Sequence, residues 1–73
     1  MTKQHEQAKA WREKVGLSVA NLADMSGYSI EAIYMFERGT RYDGKHSEWA
    51  WHRYKMACAA VEQQVKTGKA FAW

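Results

Sequence analysis

The chain has 73 residues, a formal net charge of +3, one cysteine and no proline. A single cysteine excludes an internal disulfide, and His5, His46 and His52 lack the short paired spacings of a zinc site, so we expect no metal or cofactor. No apolar run is long enough to span a bilayer, and the first ten residues lack an apolar signal core. These features predict a soluble, cytoplasmic protein with a single domain over residues 1–73. The modest positive charge permits a nucleic-acid partner without requiring one.

Helix-forming residues dominate the composition and β-branched residues are few, which predicts an all-α fold. Ser18 and Ser29 are suited to cap the N-termini of helices. Gly16, Gly27 and Gly39 are suited to end helices in the left-handed conformation. The predicted helices cover about residues 3–15, 19–26, 30–38 and 47–66. A polar loop joins the last two, and a short aromatic tail follows the fourth.

Residues 12–39, REKVGLSVANLADMSGYSIEAIYMFERG, carry small, apolar and charged residues at characteristic spacings. The defining positions are Arg12, Gly16, Leu17, Leu22, Ala23, Gly27, Ser29, Ile33, Phe36, Glu37 and Gly39. Together they resemble the helix-turn-helix domains of the lambda repressor/Cro superfamily, also called the XRE family. The resemblance implies a compact four- to five-helix lambda-repressor-like domain, with the central helix-turn-helix at about residues 18–38. Residues 40–73 fit the family pattern only loosely, because a tryptophan-rich helix replaces its usual ending.

Two groups of residues in this stretch have structural interpretations. Leu22, Ile33 and Phe36 are expected to form a small shared core. The resemblance implies that Arg12 and Glu37 meet between the first and third helices as a largely buried ion pair. In such a pair each charge needs its partner, so the loss of one costs about 3–5 kcal/mol.

The resemblance implies that the N-terminal part of the third helix faces base edges in the DNA major groove. The residues expected there are Ser29, Ile30, Glu31, Ala32, Tyr34 and Met35. The helix lacks the arginine, glutamine or asparagine usual at such positions, and Val19 replaces a glutamine of the family pattern. Glu31 has three open interpretations. It accepts a hydrogen bond from cytosine, lies on a protein-binding surface, or stabilises the positive end of the helix dipole.

Residues on both sides of this acidic centre are expected to contact DNA phosphates. The candidates are Lys14, Ser18, Arg38, Thr40, Arg41, Tyr42 and Lys45. The last four belong to the loop that, in the family, follows the DNA backbone and can reach the minor groove. For each single charge the alternative is a solvated side chain.

The fourth helix has two apolar stripes, more than one small core needs. One stripe holds Trp49, Arg53, Met56 and Ala60, and the other holds Trp51, Tyr54, Cys58, Val61 and Val65. One stripe is expected to pack on the preceding helices and the other to bind a second copy of the chain. The predicted dimer contacts are Trp51, Tyr54, Phe71 and Trp73. The alternative is that both stripes and the tail fold into a single core, and Cys58 is interpreted as a small core residue.

These features favour a sequence-specific transcriptional repressor, of phage, prophage or mobile-element origin. It would bind an inverted-repeat operator as a homodimer. If it is autoregulatory, this operator lies in its own promoter. No small-molecule ligand is expected. The alternative is a protein-interaction module, such as an antitoxin-like or phage accessory protein, on the same fold without base readout. An enzyme is not expected, because the sequence has no Ser/His/Asp arrangement, no phosphate-cradling glycine loop and no paired catalytic carboxylates.

Overall fold

A computed structural model of the protein describes residues 3–39 and 47–69. Over these residues the chain forms helices and no strand, which confirms the predicted all-α fold. The helices are α1 (Gln4–Val15), α2 (Val19–Ser26), α3 (Ile30–Arg38) and α4 (Ser47–Thr67). Each helix begins and ends within one residue of its predicted bounds. None of these four helices combines the length and the apolar character needed to cross a membrane.

The ends of α2 and α3 are fixed by the predicted capping residues. Ser18 Oγ accepts a hydrogen bond from the backbone N–H of Asn21 at 3.0 Å, and Ser29 Oγ accepts one from Ala32 at 3.0 Å. Between these two helices the chain turns at Gly27, whose φ of 82° is in the left-handed region that favours glycine. The caps and this turn place the N-terminus of α3 directly after the C-terminus of α2.

The core lies where α4 covers α2 and α3. Phe36 stacks on Tyr54 with ring centroids 4.1 Å apart and meets Trp51 edge-on at 4.9 Å. Tyr28 contacts both Phe36 and Tyr54 edge-on. These four rings form an aromatic cluster that joins α3, the turn before it and α4. The buried apolar side chains are Val19, Leu22, Ile33, Phe36, Trp51, Tyr54 and Val61, which confirms the predicted core of Leu22, Ile33 and Phe36.

The prediction that Trp51 and Tyr54 contact a second copy is wrong. Their side chains are 6% and 2% exposed, because the stripe that contains them packs on α2 and α3 within one chain. The opposite stripe remains uncovered, with Trp49 69% and Met56 61% exposed. The alternative of a single core that absorbs both stripes is therefore also wrong for this helix. The other predicted dimer contacts, Phe71 and Trp73, lie outside the described residues.

Candidate nucleic-acid interface

The exposed face of α3 consists of Ile30, Glu31, Tyr34 and Arg38. These residues recur at the 3.6-residue period of a helix, so they share one side while Ile33 and Phe36 point into the core. Ile30 and Tyr34 are 47% and 43% exposed, which is high for large apolar side chains. The α3 face therefore offers apolar, acidic, aromatic and basic groups to solvent within about two turns of helix.

Four of the predicted base-reading residues are exposed on or beside this face: Ser29, Ile30, Glu31 and Tyr34. Met35 is half-buried and lies on the flank of the face, next to the helix side that packs on the core. Ala32 is also half-buried. A ligand that approaches α3 directly would thus meet Ile30 and Glu31 in the first turn before it reached Met35.

An open hollow of about 630 Å³ adjoins the α3 face where α1, α2 and α3 meet. We refer to it as the three-helix hollow. Its lining residues are Lys9, Arg12, Ser18, Val19, Ala20, Tyr34, Glu37 and Arg38. The hollow brings Ser18, the cap of α2, together with Tyr34 and Arg38 of α3, and all three residues were predicted to face DNA.

Lys9 also lines the hollow and was not predicted to be functional. Lys9 precedes Arg12 by three residues and therefore lies about one turn before it on the same side of α1. Arg12 was expected to face α3, so its three-residue spacing from Lys9 could have predicted that Lys9 lies on the same side of α1. Lys14, the lysine predicted on α1, is exposed but does not line the hollow.

Arg12 and Glu37 form the wall of the hollow nearest the core. Arg12 Nε donates to Glu37 Oε2 at 2.7 Å and Arg12 Nη2 donates to Glu37 Oε1 at 3.1 Å, so the pair is bidentate. Arg12 Nη1 donates a third hydrogen bond to the backbone carbonyl of Leu17 at 2.9 Å. The two side chains are 13% and 6% exposed. The predicted buried ion pair between the first and third helices is confirmed, and it also holds the linker before α2.

The charge balance of the hollow follows from this pairing. The charge of Glu37 is balanced by that of Arg12, and the hydrogen bonds that Arg12 donates to this carboxylate raise the pKa of Arg12 above its ordinary value. The two remaining charged lining residues, Lys9 and Arg38, are both positive and exposed. The first N–H groups of α2, at Val19 and Ala20, add the partial positive charge of a helix N-terminus. The hollow is therefore attractive to anions.

Arg38 and Tyr34 are held together on the rim of the hollow. The guanidinium carbon of Arg38 lies 5.5 Å from the centroid of the Tyr34 ring, within the range of a cation–π contact. This contact restricts two long side chains that would otherwise sample many rotamers. Arg38 keeps its positive charge in this contact and remains exposed, so it can still attract an anion.

Glu31 lies in the first turn of α3 and is exposed. A carboxylate at this position stabilises the positive end of the helix dipole by about 0.3–1 kcal/mol. No described basic side chain forms an ion pair with Glu31 within 4.0 Å. The carboxylate is thus directed to solvent at the leading end of the α3 face.

A second depression, a groove of about 280 Å³, lies between α1 and α4 on another side of the molecule. Its apolar walls include Trp11, Trp51 and Ala8, and Cys58 is one of its lining residues. Burial raises the pKa of the Cys58 thiol to about 11, although a hydrogen bond with Tyr54 opposes this effect. The thiol is therefore protonated near neutral pH and a poor nucleophile, in agreement with its interpretation as a packing residue.

The predicted phosphate contacts Thr40, Arg41, Tyr42 and Lys45 lie outside the described residues. Within residues 3–39 and 47–69, no group of three or more histidine, cysteine or acidic side chains is arranged to hold a metal ion. The described candidate site therefore consists of the α3 face and the three-helix hollow. Comparisons with protein-family models, with curated proteins and with solved structures found no match for this chain.

Proposed function

We propose that this protein is a DNA-binding transcriptional repressor whose α2 and α3 form a helix-turn-helix of the lambda repressor/Cro type. The observation that carries the proposal is the position of the exposed α3 face directly beside the basic three-helix hollow. A helix that reads DNA needs an uncovered side for the bases and an adjacent anion-binding surface for the phosphates. In this proposal the exposed α3 face serves the bases and the basic three-helix hollow serves the phosphates.

Phosphate binding is assigned to Lys9, Ser18, Tyr34 and Arg38. Lys9 and Arg38 supply the charge, Ser18 and Tyr34 supply hydroxyl groups, and all four line the same hollow. Tyr34 belongs to the set of residues expected to face the groove, where its hydroxyl group was expected to bond a phosphate, and its contact with Arg38 and its place in the hollow support that role. Neutral hydroxyl groups beside two cations are a common combination at DNA phosphates.

Base reading is assigned to Ile30 and Glu31 in the first turn of α3. The Ile30 side chain is 47% exposed and can pack on a thymine methyl group. The Glu31 carboxylate can accept a hydrogen bond from the N4 amino group of cytosine. The DNA phosphates repel the negative charge of Glu31, and the basic residues of the adjacent hollow offset this repulsion.

Repression would follow from occupancy of a promoter by two copies of the chain. A homodimer places two α3 faces on the half-sites of an inverted repeat, about 34–36 Å apart, and blocks polymerase sterically. In this proposal the protein is a cytoplasmic repressor of a phage, a prophage or another mobile element and acts at its own promoter. In this proposal the protein is not an enzyme and needs no cofactor.

The test is a footprint on the DNA upstream of the protein's own gene, repeated at two salt concentrations. A protected inverted repeat supports the proposal. Weak protection at all positions, without preference for any sequence, would overturn it.

Variants then separate the two parts of the site. Arg38→Ala should weaken binding to all sequences and reduce the slope of log K against log salt by about 0.9, the effect of one lost phosphate contact. Lys69→Ala is the matched control, since it removes one exposed positive charge outside the α3 face and the hollow. Equal effects of the two variants would show that only net charge matters.

Glu31→Ala should instead change the base preference at constant salt concentration. An unchanged base preference refutes base reading by Glu31.

A protein-interaction module is the second candidate, because two large apolar side chains of α3, Ile30 and Tyr34, are exposed together. Such a patch can bind another protein instead of DNA. If Ile30→Ala abolished binding to a protein expressed from the neighbouring gene while the footprint remained empty, this second function would replace the first.

A further inference from the structure

The outer face of α4 is an uncovered stripe that runs along most of the helix. It consists of Trp49, Arg53, Met56, Ala60 and Gln63, all exposed. These residues are separated alternately by four and three positions, the spacing that keeps a stripe facing a second helix along its length. Trp49 and Met56 are more than 60% exposed, although large apolar side chains are usually covered. The spacing and the exposure together indicate a helix-binding surface.

We propose that the outer face of α4 binds the same face of a second copy of this chain, with the two α4 helices antiparallel. This inference rests on the homodimer of the proposed function and names its surface, but its test needs no DNA. A second copy is the expected partner because the outer face of α4 is complementary to itself in the antiparallel direction, both in charge and in side-chain size.

The charge argument depends on Glu48 and Lys66. They are about five helical turns apart and therefore project from the same flank of the outer face. Their midpoint is also the midpoint of α4. In an antiparallel pair of complete helices, Glu48 of each copy thus lies opposite Lys66 of the other. In a parallel pair the two-fold axis runs along the helices and places the Glu48 and Lys66 flanks of the two copies on opposite sides of the interface, so these charges do not meet.

Within one chain Lys66 already meets Glu62 at 3.6 Å, but both side chains are exposed. An exposed i,i+4 pair contributes only about 0.3–0.5 kcal/mol, so it does not prevent Lys66 from interacting with a second copy.

The size argument depends on the order of large and small residues. Trp49 lies in the first half of the face, whereas Ala60 lies in the second half. Antiparallel pairing about this midpoint brings the indole of one copy beside Gln63 of the other and Met56 beside Ala60, twice each in an isologous two-fold contact. The helices overlap over about 30 Å, the length of a 21-residue helix. Two indole rings, at about 150–250 Å² each, contribute much of the roughly 1,000 Å² that a specific but weak interface needs.

The first experiment is sedimentation equilibrium of the full chain without DNA, from low to high micromolar concentration. The expected result is a reversible monomer–dimer equilibrium, and a monomer at every concentration overturns the proposal. Trp49→Ala should raise the dissociation constant about tenfold or more, as loss of a large aromatic contact does at many interfaces. Val65→Ala is the control, because Val65 is also exposed on α4 but lies on the opposite side. A larger effect of Val65→Ala than of Trp49→Ala overturns the assigned surface.

Charge reversal tests the antiparallel direction. Glu48→Lys and Lys66→Glu should each weaken the homodimer about fivefold, since each replaces two attractive surface pairs by repulsive ones. An equimolar mixture of these two variants should form a heterodimer, because opposite charges then meet at both ends. Unchanged affinity of the single variants would indicate parallel pairing or another surface and overturns the proposal. Circular dichroism checks that each variant keeps its helices.

The results also distinguish this inference from the proposed function. A dimer with the expected variant effects that binds no DNA overturns the repressor and leaves the α4 interface in place. Sequence-specific binding by a chain that remains monomeric overturns the α4 interface and leaves the DNA-binding assignment in place.

Discussion

Glu37→Gln keeps the size of the side chain but removes the charge that faces Arg12. In the native protein Arg12 donates two hydrogen bonds to this carboxylate, at 2.7 and 3.1 Å, and the side chains are only 13% and 6% exposed. The amide of the variant can accept one of these hydrogen bonds, and its NH₂ group faces a guanidinium donor at the other. A largely buried cation is then left without its countercharge, which costs about 3–5 kcal/mol.

This loss is large compared with the stability of so small a domain. At about 0.05–0.15 kcal/mol per residue, the whole chain of 73 residues has a free energy of unfolding of roughly 4–11 kcal/mol. At about 4–8 °C per kcal/mol, the melting temperature of Glu37→Gln should fall by at least roughly 12 °C. Urea unfolding followed by tryptophan fluorescence gives the free-energy difference directly. Circular dichroism melts give the shift in melting temperature.

Two comparisons show whether burial is the cause. Glu62→Gln removes a carboxylate from the exposed pair with Lys66 and should change stability by no more than about 0.5 kcal/mol. Replacement of both partners, as Arg12→Met with Glu37→Leu, should cost clearly less than the sum of the single changes, because no buried charge is left unpaired. If Glu37→Gln costs under about 1 kcal/mol, like the exposed control, the pair is screened by solvent and the reasoning is refuted.

Three further predictions concern the packing of the helices. Gly39→Ala should destabilise the protein more than Gly16→Ala. Both glycines have positive φ, but of the two only Gly39 would place an added Cβ against another side chain, the His5 ring at 2.5 Å. Equal losses of unfolding free energy in urea would exclude a role for this contact. Phe36→Ala should lower the free energy of unfolding by about 3–5 kcal/mol, because this ring is 1% exposed and lies at the centre of the aromatic cluster. A decrease under about 2 kcal/mol would show that the cluster closes around the cavity. Finally, burial raises the pKa of Cys58 from 9.0 to about 11, so the folded state holds this proton more tightly than the unfolded state. The stabilisation is complete below about pH 9 and is lost as pH rises to about 11. Cys58→Ala should flatten the decline of unfolding free energy in that range, and an unchanged decline would assign it to other groups.

The helices and their ends could be predicted because their causes are local. Serine hydroxyls accept from N–H groups three residues ahead, and glycine alone adopts positive φ at little cost, so Ser18, Ser29 and Gly27 mark boundaries within the sequence itself. The pairing of Arg12 with Glu37 is a long-range contact, and its prediction came from the resemblance of residues 12–39 to the lambda repressor/Cro superfamily. The three-helix hollow was not predicted as a unit. Lys9, Ser18 and Tyr34 become neighbours only when α1, α2 and α3 pack together.

The two stripes of α4 show how far residue spacing predicts the fold and where packing between helices is needed. Residue spacing indicated that α4 is a helix with apolar side chains on two sides, because helical periodicity is a property of spacing. It did not determine which side is buried, since both stripes contain tryptophan and other apolar residues. The tertiary structure decided this when Trp51 and Tyr54 met Phe36 in the aromatic cluster, where ring shapes and distances complement one another. Trp49 and Met56 were thereby left at the surface, available for a second copy of the chain.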